Sequence, residues 1–134
     1  MPNSRPKSQI ELIDFGSETP PARLSYAERV VHDGISVSRC TLQPNSGTEI
    51  GATQFTVAIN EGTPFQMEWR LPEMRETERR RIVSGDLHIN PGDHPIFQRW
   101  SSSPRILVIA MEQAFVKQIV GEAFDGKELE LRTQ

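Results

Sequence analysis

Hydrophobic and polar positions alternate with a period of two through the middle of the chain. Phe65, Met67, Trp69 and Leu71 share one face while Gln66, Glu68 and Arg70 share the other, the spacing of a strand whose successive side chains point to opposite sides. Phe55, Val57 and Ile59 oppose Gln54, Thr56 and Ala58 in the same way. Turn-forming clusters punctuate these segments: Asp33-Gly34, Pro44-Asn45-Ser46-Gly47, Glu61-Gly62-Thr63-Pro64, Ser84-Gly85, Pro91-Gly92-Asp93 and Ser101 to Pro104. Together they predict strands over 35–42, 53–59, 65–71, 79–83, 86–90, 95–100 and 105–111. Six or seven short strands of this kind predict an antiparallel sandwich or barrel, because burial of one face gives alternation whereas a parallel sheet gives continuous apolar runs.

After Met111 the period changes. Phe115, Val116, Ile119, Val120, Ala123 and Phe124 recur at three and four, with Glu112, Lys117 and Glu122 opposite, which predicts an amphipathic helix over 112–124. Asp125-Gly126 supplies its stop. At the other end, residues 1–25 mix Pro, Ser, Lys and Glu around Ile10, Leu12, Ile13 and Phe15 and then reach Pro20-Pro21. They are expected to form an arm lying on the domain rather than its core. The chain thus divides into an arm over 1–25, a barrel over 26–111, and a helix and tail over 112–134, the last reading as the start of a link to further chain.

Length and composition narrow the classes. The chain's 134 residues suffice for one domain with a core, and ten prolines with nine glycines favour many turns. A net charge of −3 lacks the basic excess that phosphate-backbone binding demands, so no nucleic-acid contact is expected from this segment. Cys40 is the single cysteine, which excludes an intrachain disulfide and fits a reducing cytoplasm. The longest apolar run, 106–111, is far shorter than a membrane span, and the first residues lack a signal-type apolar stretch.

Candidate chemistry is sparse. His32, His88 and His94 show no metal-ligand spacing, Cys40 lies within a predicted strand as a small apolar residue, and no nucleophile elbow, phosphate loop or dinucleotide fingerprint is present. Glu68, Asp86 and Asp93 offer carboxylates, but nothing in their spacing makes two converge. No catalytic residue, metal or cofactor is assigned. The charged stretch 73–81 interleaves both signs and reads as a solvated loop or hairpin tip. Trp69 and Trp100 remain as residues a barrel could turn inward, either as walls of a ligand pocket or as ordinary core. Arg39 shares the register of Ile35 and Val37, and with His88 is the candidate polar contact for a ligand.

The stretch Gly85-Asp86-Leu87-His88-Ile89-Asn90-Pro91-Gly92-Asp93-His94-Pro95 resembles the second cupin motif, a glycine opening a strand with a Pro-Gly turn after it. Gly34-Ile35, Leu42-Gln43-Pro44, the strand from Pro64 to Arg70, this motif and the final helix follow the order of the N-terminal sensing domain of AraC-type transcription regulators. The likeness covers roughly the last hundred residues. It implies a cupin-like antiparallel β-barrel of jelly-roll form with a C-terminal helix, a small-molecule effector, a homodimer, and DNA binding by a helix-turn-helix region absent from this chain. The chain departs from metal-binding cupins: Asp93 stands where their second glycine would be, Ile96 where their last histidine would be, and 53–59 carries none of the first motif's histidines.

The leading expectation is therefore a cytoplasmic, metal-free effector-sensing and dimerisation domain. Arg39, Trp69, His88 and Trp100 are its expected ligand contacts. Phe115, Ile119 and Phe124 form a helix stripe that either associates two subunits or packs on the barrel of its own chain. The rival is a small cupin enzyme, an isomerase or dioxygenase, with His88, His94 and an acid holding a metal. A third reading is a barrel filled solid with side chains and used for subunit contacts alone.

Overall fold

The computed structural model describes residues 10–123. Ten strands precede one helix: β1 (Ile10–Ile13), β2 (Leu24–His32), β3 (Ile35–Leu42), β4 (Asn45–Ala52), β5 (Phe55–Asn60), β6 (Phe65–Arg70), β7 (Glu78–Ile82), β8 (Leu87–Asn90), β9 (Ile96–Trp100), β10 (Arg105–Met111) and α1 (Gln113–Ala123). They form two five-stranded sheets, ordered β1-β4-β9-β6-β7 and β2-β3-β10-β5-β8. Strands β3 to β10 alone give the orders β4-β9-β6-β7 and β3-β10-β5-β8, in which first pairs with last and second with second-last. That double Greek key is the jelly roll, the architecture of cupin barrels. Every pairing is antiparallel except β1 with β4.

The predicted strands are present, with three additions. β4 runs through Asn45 to Ala52, where a turn was expected, because the chain accommodates Gly47 at φ +131° and a bulge between Asn45 and Thr48 instead of reversing. The Asn45 side chain, fully buried, replaces the interrupted pairing by donating to the Gln98 carbonyl at 2.9 Å and accepting from Gly47 N–H at 3.2 Å. β2 begins at Leu24, inside the expected arm, and it too carries a bulge, between Tyr26 and Glu28. β1 extends one sheet, and Ile13 and Phe15 enter the core with Leu24, Cys40, Ile50, Ala52, Trp100, Val108 and Ala110. The segment 10–15, expected outside the core, thus helps to close it. Gln54 pins it there, accepting from Phe15 N–H at 3.0 Å and donating to Asp14 at 2.6 Å, while Arg23 pairs with Glu11.

The helix starts one residue later than expected and ends, as described, at Ala123; Phe124 and the tail lie outside the described residues. Glu112 N–H donates to the Gly34 carbonyl at 2.8 Å, and the Phe115 side chain would lie 3.2 Å from a Cβ at Gly34. Beyond that foot α1 has no extensive packing with any strand, and Ile119 is exposed.

Candidate functional site

The interior is filled unevenly. Small residues on the inward side of one sheet, Ser36, Ser38, Cys40, Ala110 and Val108, are buried together, and Ile13, Phe15 and the Tyr26 ring close over them. Towards the other side, between β6, β7, β8 and β9, the sheets leave a cavity of about 280 Å³. That is close to the lower bound of about 300 Å³ typical of small-molecule pockets.

Its walls are mostly apolar. Phe65, Met67 and Trp69 come from alternate positions of β6, Ile96 and Trp100 from β9, and Ile82 from β7, as a period-two strand with one face inward dictates. The polar groups are few: Asn60, Arg80, Asp86, His88 and Gln98. Most are already engaged. Gln98 donates to the Ile50 carbonyl at 3.1 Å, Asn60 accepts from Gly62 N–H at 3.0 Å, and Asp86 accepts from Val83 N–H at 2.8 Å. Trp100 donates its indole N–H to the Gln43 carbonyl at 3.0 Å, which anchors the ring.

Two groups are not so engaged. His88 Nε2 is buried without a hydrogen-bond partner, and burial pushes the imidazole pKa below its ordinary value, so the ring is held neutral. Arg80 lies opposite Met67 in the β6–β7 register, on the cavity side of β7. Its neighbour Arg79 reaches Glu68 at 3.8 Å on the outer side, but among the described residues Arg80 has no carboxylate within ion-pair distance.

The structure therefore brings Trp69, Trp100 and His88 to one cavity. Arg39 is elsewhere. It lies on the outer face, 52% exposed, bound to Glu28 at 3.0 Å and Glu61 at 3.1 Å. The expectation that Arg39 faced a ligand is corrected: β3 does alternate, but its buried side is Ser36, Ser38 and Cys40, and the aliphatic side that Arg39 shares points outward. Arg80 lies in the stretch 73–81, whose interleaved charges predict a solvated loop or hairpin tip and so do not point to a cavity residue. The available signal is its alternation on a strand that follows the apolar face of 65–71 in a hairpin. On the helix, Phe115 is half-buried and Ile119 exposed, while Phe124 lies outside the described residues.

A metal centre does not fit these residues. Among the described residues no three His, Cys, Asp or Glu side chains gather to hold an ion. His88 faces the cavity, whereas His94 is exposed beyond the Pro91-Gly92 turn with Nδ1 against the Gly92 carbonyl. Cys40 is no nucleophile either, since burial pushes its pKa up to about 12. No helix among the described residues is long and apolar enough to cross a membrane.

The fold is cupin-like. No protein-family model matches the sequence, and no curated protein matches it either. Among solved structures, a cupin 2 conserved barrel domain protein from Salinispora arenicola is 14% identical, with 74% of this chain and 82% of that one covered and a TM-score of 0.47. The EutQ protein of Clostridium difficile is 6% identical, covering 67% and 68%, TM-score 0.48. Peruvianin-I, a cysteine peptidase from Thevetia peruviana latex, is 15% identical with a TM-score of 0.43, and the chain spans about half its length (52%) while 60% of the chain is covered. The cupin-like assignment follows from the strand order itself.

A pH dependence follows from His88. Unfolded, its imidazole titrates near 6.5; folded, it resists protonation. Between pH 7.5 and 5.5 the unfolded state takes up its proton more readily than the folded state does, so stability falls as pH falls. Urea midpoints at the two pH values are expected to differ more for the wild-type chain than for His88→Gln, and equal differences would contradict the buried neutral imidazole.

Proposed function

We propose that the chain is the effector-sensing and dimerisation domain of an AraC-type transcription regulator, acting in the cytoplasm, with DNA contacted by a region outside this sequence. No catalytic step is assigned to it. The motif order from Gly34 to the helix supports the family reading, and the cavity supports the sensing role. The effector is a small organic acid with an apolar or aromatic body. Trp69 and Trp100 flank the body, Arg80 at the rim meets the carboxylate with its planar fork of donors, and His88 Nε2 accepts or donates one hydrogen bond. The observation that carries this is the coincidence, in one largely apolar cavity, of both tryptophans of the chain and an arginine that has no carboxylate within ion-pair distance among the described residues.

Both tryptophans report on the cavity, so intrinsic fluorescence reads its occupancy. Phenylacetate and octanoate are expected to shift or quench the emission saturably, the neutral amide of phenylacetate to bind more weakly, and Arg80→Gln to remove that preference. Unchanged emission with every acid, or a response to Mn²⁺, Fe²⁺ or Zn²⁺ alone, would contradict the reading; the second result would favour the metal-dependent cupin enzyme.

A further inference from the structure

The two outer faces of the barrel differ sharply. Outside β6, β7 and β9 stand Gln66, Glu68, Arg70, Arg79, Arg81 and Arg99, with Glu68 and Arg99 paired at 2.6 Å. That is the polar exterior expected of an antiparallel sheet with one solvated side. Outside the other sheet the pattern is reversed. Val30 pairs with Val37, Val37 with Ile109, Ile109 with Val57, and Val57 with Ile89, a single row of aliphatic side chains that crosses all five strands. Parallel rows add Leu107 and Ile59 on one side, and Ile35, Met111 and Phe55 on the other. Val30 is 69% exposed and Val37 38%, and α1 leaves the barrel without covering them.

We infer that this face is the seat of a second copy of the chain, joined sheet to sheet. It deepens the dimerisation part of the reading above and depends on neither the effector nor the DNA. The ten apolar residues named, each covering about 4.8 by 6.8 Å of the sheet, make an apolar field of about 330 Å². A standard interface takes about 800 Å² from each partner, an apolar centre within a polar rim. Glu28, Arg39 and Glu61 at one edge and His32 at the other supply that rim. The charges fit a copy of the same surface: the Glu28–Arg39–Glu61 cluster carries a net −1, and Arg105, exposed on the same side of β10 as Leu107, supplies the opposite charge that a two-fold axis can bring against it. The row offers no charge for an ionic partner to read, whereas aliphatic ridges from two antiparallel sheets interdigitate at about 10 Å, as in a sandwich.

The test is sedimentation equilibrium of the full chain over a wide concentration range. The wild-type chain is expected to sediment at twice its chain mass, and Val37→Lys, at a partly exposed site, to weaken association about 100-fold with an unchanged circular dichroism spectrum. Ile119→Glu on the helix is expected to leave association as it is. A monomeric wild type would overturn the inference and the dimerisation reading together. Dissociation by Ile119→Glu but not by Val37→Lys would overturn the sheet-face inference alone and move the interface to the helix. Should Val37→Lys fail to fold, hydroxyl-radical labelling of wild-type Met111 and Leu107 decides: protection at high concentration supports the sheet-face dimer, and labelling independent of concentration overturns it.

Discussion

Replacing Trp100 by alanine is expected to remove about 3–5 kcal/mol of folding stability, the range for large-to-small aromatic changes in cores. The ring is 5% exposed and belongs to the core cluster with Ile50, Val108 and Cys40, so truncation leaves a hole that β9, held between β4 and β6, is poorly able to close. The lost indole bond to the Gln43 carbonyl adds little, because Gln43 is exposed and water replaces the donor. Trp69 is the contrast. It stands on the same cavity but is less buried, so Trp69→Ala is expected to cost much less stability while enlarging the cavity. Urea unfolding followed by far-UV circular dichroism checks both, and equal losses would mean that Trp69 is core and not a pocket wall.

The second large effect is expected at Gly92. The residue sits at φ +94°, followed by Asp93 at +52°, and its turn is tied on several sides. Asn90 accepts from Gly92 N–H at 2.9 Å and donates to the His94 carbonyl at 3.2 Å. Gln113, at the start of α1, donates to Asp93 at 2.9 Å and to the Thr53 carbonyl at 3.0 Å. A Cβ on Gly92 would lie 3.0 Å from the Gln54 backbone and 2.9 Å from Gln113 Nε2. Backbone cannot swing aside as a side chain can, so Gly92→Ala combines left-handed strain with a steric clash and is expected to cost about 2–4 kcal/mol. Gly85 is an internal control: φ is +91°, but a Cβ there would meet nothing within 4 Å. Gly85→Ala is expected to show the conformational cost alone, about 1–2 kcal/mol. Equal midpoints for the two variants would refute the clash.

The strand periods and their punctuation were legible because they are local properties. Asp33-Gly34, Ser84-Gly85 and Pro91-Gly92-Asp93 all mark true reversals, three of them through glycines of positive φ. Pro44 to Gly47 misled, since the same residue types also build a bulged strand when a buried side chain such as Asn45 replaces a ladder bond. The faces were harder to read than the periods. Alternation divides 35–42 and 55–60 into two sides but does not say which side is inside, and the usual rule that aliphatics point inward fails on this sheet. Its inward side is Ser36, Ser38 and Thr56 in the packed half of the barrel and Ala58 and Asn60 at the cavity, while Val37, Val57 and Ile109 face out. Arg39 was misplaced for that reason. On β6 the rule holds, and Trp69 lines the cavity. The cavity itself depends on pairing between strands distant in sequence, β5 with β8 and β6 with β9, which no single stretch encodes.

The most direct test of the central claim, that the barrel holds an apolar organic acid between Trp69, Trp100 and Arg80, is a thermal-shift titration of the wild-type chain and Trp69→Ala with phenylacetate, octanoate and divalent metals. A ligand at a hundredfold excess over its Kd stabilises the native state by about 2.7 kcal/mol. For a domain of this size that corresponds to a rise in Tm of roughly 10 °C. The account predicts such a rise with an organic acid in the wild-type chain and its loss in Trp69→Ala. No rise with any acid, or an equal rise in Trp69→Ala, would contradict it.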